Sequence, residues 1–371
     1  MKKFFGFIGI LFNLLFVVAL LLAGFSVFIN PNTFELPSLL GLLFLPLLLI
    51  NIMYVLYWVL RLKWFFVLSF IAILLTGKNI TNTFPINKEP STLTTPKERI
   101  KVLSYNVKMF DFYKKNASVY KNDILAYIMN ADADVVCLQE FGYSIKTNHL
   151  TKEDILSVLS KKYKYHHIEI ASNRLFGGKN SYGIATFSKY KIEKNQLIPT
   201  TSSMNLSMYS DIKIEEKTYR VFNCHLISNQ LTHSDKKEVS ELIDDISSEK
   251  ITTTVAHLSR KLGFAFKKRA DQAETIKNEI EKTTIPVILC GDLNEPPVSY
   301  SYRCLRGKMN DAFVETSTGL GVTYNEGVYR FRIDYIFYSS DFQAFEFKTD
   351  KVKYSDHYPI YCSFLGVRGE E

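Results

Sequence analysis

Six short hydrophobic segments of this chain carry, at or near their ends, the polar groups that phosphate-ester chemistry uses. VLSYNV contains Asn106, DVVCLQE ends in Glu140, and RVFNCHL carries Asn223 and His225. PVILCGDLN closes on Gly291, Asp292 and Asn294, RIDYIF holds Asp334, and SDHYP holds Asp356 and His357. Hydrolysis of a phosphate ester needs a metal to neutralise phosphate oxygens, a group to align and deprotonate water, and donors around the developing charge. Carboxylates, amides and imidazoles gathered at strand ends can supply all three.

Taken singly, the residues point to different parts of that task. A carboxylate ending a buried strand is expected to be paired or metal-bound, which makes Glu140 the leading metal-ligand candidate, with a salt bridge as the plain alternative. Asp292 and Asn294, one residue apart, face the same side of an extended segment. One can then orient or deprotonate water while the other contacts the phosphate; an Asx turn is the alternative for the pair. Gly291 is expected to permit a tight turn there, and Pro296–Pro297 to stop the strand. An Asp334–His357 pair across neighbouring strands would hold the imidazole in one tautomer and raise its basicity. His225, at the tip of its strand, is placed to donate to a phosphate oxygen or a leaving group. No nucleophilic Ser or Cys motif, Walker loop or dinucleotide fingerprint appears.

The elements that must position these groups follow from Ile100 onward, where short apolar runs alternate with helical patterns. Strands are expected over 100–106, 134–139, 182–188, 219–226, 286–291, 332–338 and 357–364. Helices are expected over 119–130, over 152–162 behind a cap-like Thr151 and Asp154, and over 266–281. Near-continuous apolar strands indicate sheets covered on both faces, hence a layered α/β domain. The stretch 228–268 reads as a long polar connection ending in the basic and aromatic run LSRKLGFAFKKR. It is open to reading as a lid, a membrane-surface contact or a solvated link. The five cysteines lack a C-x-x-C pair and indicate neither a disulfide framework nor a zinc site.

Before this domain the chain is of another kind. From Phe4 to Gly77 only Glu35, Arg61 and Lys63 are charged. Residues 4–29 and 39–60 are long enough to cross a bilayer, and 64–77 is a shorter third segment that crosses only with help from its flanks. The first run is too long for a signal-peptide core, and more hydrophobic segments follow it. Residues 1–77 therefore read as a membrane anchor, 78–99 as a linker and 100–366 as the catalytic domain. Lys2, Lys3, Arg61 and Lys63 place the N-terminus and the second connection in the cytoplasm by the positive-inside rule. The domain then lies outside the cytoplasm if the third segment crosses, and inside if it does not. The formal charge of +8 falls to a mild +5 once these four cations and Glu35 are set aside, and decides little about substrate.

In order, SYNV, LQE, NCHL, GDLN, RIDYIF and SDH resemble the endonuclease/exonuclease/phosphatase superfamily, which includes deoxyribonucleases, abasic-site endonucleases, neutral sphingomyelinases and inositol-polyphosphate 5-phosphatases. The resemblance spans about Ile100 to Leu365, and the N-terminus resembles that of membrane-anchored bacterial members. It implies a four-layer α/β/β/α sandwich behind an N-terminal bundle of two to three transmembrane helices. It implies a hydrolase using Mg²⁺, with Mn²⁺ as an alternative. Glu140, Asn106 and Asp356 would attend the metal. Asp292 would position or deprotonate water, Asn294 contact the phosphate, Asp334 orient His357, and His225 act as a second histidine. The implied substrate is a nucleic acid or a phospholipid head group, the implied setting the bacterial inner membrane, and a silent membrane-tethered binding domain is the rival of another class.

Overall fold

The computed structural model describes residues 2–87, 99–111, 122–145, 150–174, 180–200, 204–229, 234–235, 238, 248–326 and 329–366. They form two compact units.

The first unit comprises residues 1–83, 228–270 and 295–304. Its helices are α1 (Lys2–Phe25), α2 (Leu36–Leu42), α3 (Phe44–Leu60), α4 (Phe66–Leu75) and α5 (Gly77–Thr83). Gly6–Phe28 forms one helix long and apolar enough to cross a membrane. The α2–α3 and α4–α5 pairs reach that standard only if each is one bent span, with bends of 76° and 61°. Val17, Leu20, Phe44, Leu47, Leu48 and Ala72 pack together between these helices. A polar network runs through the same interior. Asn13 Nδ2 donates to Ser69 Oγ at 2.6 Å, Ser69 Oγ to Asn51 Oδ1 at 2.8 Å, and Trp58 Nε1 to Asn13 Oδ1 at 3.0 Å. Asn51 Nδ2 completes it on the carbonyls of Phe16 and Leu47.

The second unit holds residues 84–227, 271–294 and 305–371. Its strands are β1 (Ile100–Asn106), β2 (Val135–Ser144), β3 (Tyr165–Arg174), β4 (Asn180–Ser188), β5 (Lys191–Ile198), β6 (Ser207–Ile214) and β7 (Lys217–His225). They continue with β8 (Val287–Asp292), β9 (Asn310–Asp311), β10 (Tyr324–Glu326), β11 (Tyr329–Phe331), β12 (Asp334–Tyr338), β13 (Phe342–Ala344), β14 (Lys348–Thr349) and β15 (Ile360–Gly366). One sheet runs β13-β15-β1-β2-β4-β3, with β14 on β15, and the other runs β5-β6-β7-β8-β12-β9. β1–β2 and β7–β8 are the parallel pairs at their centres.

Alternation along the strands divides each sheet between two interiors. Val102 and Cys137 of one sheet meet Val221, Cys290 and Ile336 of the other in a shared core. Leu103, Val136 and Leu138 turn the opposite way, onto Ile124, Leu125 and Ile128 of α6 (Asp123–Ala131) and Ile155 and Leu159 of α7 (Lys152–Leu159). Helix α7 carries a complete capping box between Thr151 and Asp154. The outward residues Phe222, Leu289 and Phe337 of the second sheet are buried too, so both sheets are covered on both faces.

Several sequence expectations change. The connection over 228–268 is helical from Ser248, and the helix expected at 266–281 is the end of a 34-residue helix α8 (Ser248–Glu281). Its first turns lack the apolar periodicity that marked the last ones. The linker at 78–99 begins as helix α5. Asn87 then docks into the second unit, its Nδ2 donating to the carbonyls of Val314 and Ser317 at 2.8 and 2.6 Å. The last strand starts at Ile360 rather than 357, and His357 instead makes an isolated bridge to Tyr324. β3, β5 and β6 were not foreseen; β5, with its mostly exposed and polar residues, is an edge strand that no apolar pattern marks. Positions 119–121 of the first expected helix lie outside the described residues.

Candidate active site

The site lies where the central strands of both sheets end. Register sets it directly. Asp292 of β8 pairs with His225 of parallel β7 on one side and with Asp334 of antiparallel β12 on the other. Asn106 closes β1 beside Gln139, and Glu140 follows at the irregularity between Leu138 and Phe141. Glu140 has φ 50°, and Lys108 to Asp111 form four consecutive non-glycine residues with φ between 43° and 57°. L-residues adopt this region at a cost of about 1–3 kcal/mol each, and such strain collects at functional sites. Here the buried Met109 and Phe110 side chains and the bond from Lys108 N to Asn106 Oδ1 hold the turn.

The central group is Asp334, His357 and Asp292. His357 Nδ1 lies 2.9 Å from Asp334 Oδ2, and its Nε2 lies 3.6 Å from Asp292 Oδ2. All three are buried. Burial opposes a charge on His357, but Asp334 and Asp292 outweigh it and hold the imidazolium well above the usual histidine range. Asp292 is pushed up by burial, with Asp334 adding to the rise, while His357 and bonds from Asn294 and Asn106 oppose it. A carboxyl so placed accepts a proton readily near neutrality, the property a general base requires.

Asn106 joins the two halves. Its Nδ2 donates to Asp292 Oδ2 at 3.0 Å and to Glu140 Oε1 at 3.2 Å. Its amide nitrogen, not its oxygen, therefore faces the carboxylates. Glu140 is raised by burial and by Asp356, while Asp356, although half-buried, is drawn below its ordinary value by His357 and by Lys108, whose Nζ sits 2.8 Å from Asp356 Oδ2. Glu140 keeps 28% of its side chain exposed.

His225 is a different histidine. Burial, reinforced by charged His357, pushes it down to about 3, so it is neutral. Asn205 Nδ2 approaches its ring at 3.2 Å, Tyr182 Oη lies 3.5 Å from its Nδ1, and Glu140 and Asp292 stand 3.9 and 3.8 Å from its Nε2. Asn223, two residues earlier on the same face of β7, is not at the site. Its amide stitches the sheets together, donating to Ala185 O at 2.9 Å and accepting from Gln139 Nε2 at 2.8 Å.

The GDLN segment is built otherwise than extended geometry predicts. Asn294 has φ 53°, its N–H donates to Asp292 Oδ1 at 2.9 Å, and its Nδ2 donates to Leu226 O at 3.0 Å. The Asx turn, rather than a straight strand, sets the two side chains. Gly291 is required by close approach, not by a turn: a Cβ there would lie 2.0 Å from the carbonyl oxygen of Cys224 on β7. Lys108, Asn205 and Tyr324, whose ring centroid is 5.0 Å from that of His357, escaped the sequence reading. Only Lys108, two residues past Asn106, had a motif to betray it.

The profile of the Endonuclease/Exonuclease/phosphatase family matches residues 103–357, from β1 through His357. The chain belongs to this family. A second profile, described as a domain of unknown function, matches residues 2–83. Among solved structures, the family's fold recurs in an endonuclease/exonuclease/phosphatase from Beutenbergia cavernae DSM 12333. That likeness has 14% identity and a TM-score of 0.54, and covers 73% of this chain and 72% of that one. An endonuclease/exonuclease/phosphatase family protein from Leptotrichia buccalis C-1013-b is similar at 18% identity and TM-score 0.50, over 72% of this chain and 99% of that one. No curated protein matches the chain. Membership makes the protein a hydrolase of the nuclease and phosphatase type.

Two groups could receive a metal ion. Asp292, Asp334 and His357 bring three ligand atoms within 4.8 Å of one another. His357 ligates there by giving up the proton that the same carboxylates hold on it. Asp356 instead adds to the raised proton affinity of Glu140, and Glu140 opens to solvent. One or two carboxylates with waters completing the shell is the donor set Mg²⁺ prefers, and the Glu140–Asp356 side fits it.

Proposed function

We propose that the protein is a membrane-anchored, Mg²⁺-dependent phosphodiesterase of endonuclease type, acting by in-line attack of water without a covalent intermediate. The observation that carries this reading is the buried Asp334–His357–Asp292 group, which sets a charged imidazole beside a carboxyl of raised proton affinity. A divalent cation held by Glu140 and Asp356 would neutralise charge on a phosphate oxygen. Asp292 aligns the water and takes its proton as the new P–O bond forms and the ester P–O bond breaks. His357, fixed by Asp334, donates to a non-bridging oxygen as negative charge grows there. Asn106 holds Glu140 and Asp292 in position, and neutral His225, whose Nε2 stands 3.8 Å from Asp292, would donate a hydrogen bond to the leaving oxygen, which takes its proton from solvent. Asn294 is committed to Leu226 O and reaches a phosphate only by giving up that bond.

The anchor is read as three crossings. Asn13, Asn51 and Ser69 tie α1, α3 and α4 together midway, and Asn79 Nδ2 of α5 donates to Gly24 O at the far end of α1 at 2.7 Å. Helix α4 alone spans only about 15 Å, so Trp64, Phe65 and α5 complete the third passage. Lys2, Arg61 and Lys63 then share the cytoplasmic side of a bacterial inner membrane, and Glu35 and Thr83 the opposite side. The anchor favours a second reading, hydrolysis of a phospholipid head group in the manner of a sphingomyelinase.

The test assays the full chain in detergent for plasmid nicking with Mg²⁺ or EDTA, beside sphingomyelin, with His357→Ala as control. Metal-dependent nicking lost in the variant supports the nuclease reading. Lipid turnover without nicking supports the second. Activity on neither, with Glu140→Ala indistinguishable from the parent in every assay, would leave a binding role.

A further inference from the structure

Within the first unit, the early part of α8 is pinned to the anchor. Lys267 Nζ bridges to Glu35, on the connection between α1 and α2, at 2.7 Å. Gly263 lies so close that a Cβ there would come within 2.8 Å of the Glu35 carboxylate. Residues 295–304 fasten at the same end of the bundle. Val298 joins the apolar cluster of Val17, Leu20 and Phe44, Ser26 Oγ donates to its carbonyl at 3.4 Å, and the Arg303 guanidinium lies 4.3 Å over the Phe28 ring. These contacts gather around residues 26–35, where α1 leaves its apolar stretch. Residues 263–267 of α8 are therefore held at the level of that exit.

The composition of this helix suits that level. From Ile251 to Ala270 there are five basic residues and no acidic one. Three of the five are engaged inward: Lys261 on Asp235, Lys267 on Glu35 and Arg269 on Glu295. Arg260 is exposed, and Lys268 Nζ stands 6.0 Å from the Phe264 ring centroid. Phe264 and Val255 are 53% and 55% exposed. Ala256, Arg260 and Phe264, four residues apart, lie on one stripe. A helix lying in a membrane interface pairs protruding apolar side chains with flanking cations, attracted by acidic head groups.

We propose that the outer face of α8 around Val255, Arg260, Phe264 and Lys268 lies in the head-group layer of a bilayer containing acidic lipids, on the side opposite the N-terminus. The occupant of this face is lipid because residues 263 and 267 of the same helix are held at the end of the apolar α1 stretch and the charges on the face, Arg260 and Lys268, are positive. The proposal rests on the three-crossing reading of the anchor but is independent of the reaction.

The test places the full chain in nanodiscs with or without phosphatidylglycerol, on a Cys304→Ser background, the other four cysteines being buried. A polarity-sensitive fluorophore is attached through Val255→Cys, and in separate samples through Leu15→Cys on α1, with the fluorophore's free cysteine adduct in the buffer as the aqueous reference. Quenchers sit on the lipid near the head group or at the acyl-chain end. The expected result is at least twofold stronger quenching at 255 by the head-group quencher, deep quenching at 15, and no quenching of the free adduct. Quenching at 15 with 255 behaving like the free adduct overturns the proposal while sparing the crossings. Loss of quenching at 15 as well overturns both. Adding Arg260→Glu and Lys268→Glu should reduce quenching at 255 only in discs with phosphatidylglycerol; an unchanged signal overturns the acidic-lipid assignment. Phe264→Asp should reduce it in both kinds of disc.

Discussion

The polar network among the helices of the first unit and the polar cluster of the active site both draw on buried side chains, and they are built in opposite ways. Asn13, Asn51, Ser69 and Trp58 are neutral, and each donor points at an acceptor. At the active site Glu140, Asp292, Asp334 and Asp356 bring four carboxylates together around two histidines, one forced charged and one forced neutral. A network whose groups satisfy one another fixes how helices pack. A cluster of like charges does not stabilise a fold. It persists because the strands around it over-determine their ends, and its unmet charge is available to a cation, a water and a phosphate. The difference separates a structural polar site from a reactive one by charge balance rather than by burial.

That comparison can be broken first at the active site. His357→Ala should lower turnover of a phosphodiester by about 10³-fold at a temperature where the variant is still folded, and its metal-free melting temperature should fall as well because Asp292 and Asp334 lose their counter-charge. A folded variant that turns over at the parent's rate would remove His357 from the reaction. Next, adding Mg²⁺ should raise the melting temperature, by the equivalent of about 2.7 kcal/mol at one hundred times the dissociation constant. EDTA should reverse the shift, and Glu140→Gln should abolish it; a shift that survives in Glu140→Gln would move the ion to the Asp292–Asp334–His357 group.

The two histidines sharpen the contrast through pH. His225 folds with its proton affinity depressed to about 3. Its contribution is full above the unfolded value of about 6.5 and is lost as the pH falls below it. His357 folds with its affinity raised, so its contribution is full below about 6.5 and is lost as the pH rises towards its folded value. Thermal melts in EDTA should show His225→Gln flattening the acid limb and His357→Gln the alkaline limb, each by up to about 1.4 kcal/mol per pH unit. Slopes of the same sign would contradict the assignment. The smallest effect belongs to the apolar helices of the first unit: Asn51→Leu should cost about 1 kcal/mol in mixed-micelle unfolding and leave turnover of a soluble phosphodiester unchanged.

Much of the site was legible in the chain because most of its members stand at an end of a strand whose apolar run announces it. Asn106, Glu140, Asp292 and Asp334 sit at such ends, and the Asp334–His357 pair forms as the residue types suggested. The helical continuation of α8 back to Ser248 was hidden, because its early turns carry threonines, cations and a glycine in place of an apolar stripe. Lys108 was missed for another reason. Its ammonium reaches Asp356 only through a left-handed turn, which no local preference of Lys, Met, Phe or Asp would select.

By itself the sequence determined that an apolar, helical N-terminal stretch precedes a mixed α/β fold, since long hydrophobic runs and runs of strand length are different one-dimensional patterns. It also determined which groups are available for chemistry, because an acid or imidazole closing a buried strand must answer for its desolvation. Only the tertiary structure decided what those groups are to one another. Strand register set Asp292 between His225 and Asp334, and the shared field of the carboxylates charged one histidine and left the other neutral. Packing sent Asn223 into the sheet interface although it lies two residues from His225. Register, field and packing arise between segments far apart in the chain, which is why no spacing along it could encode them in readable form.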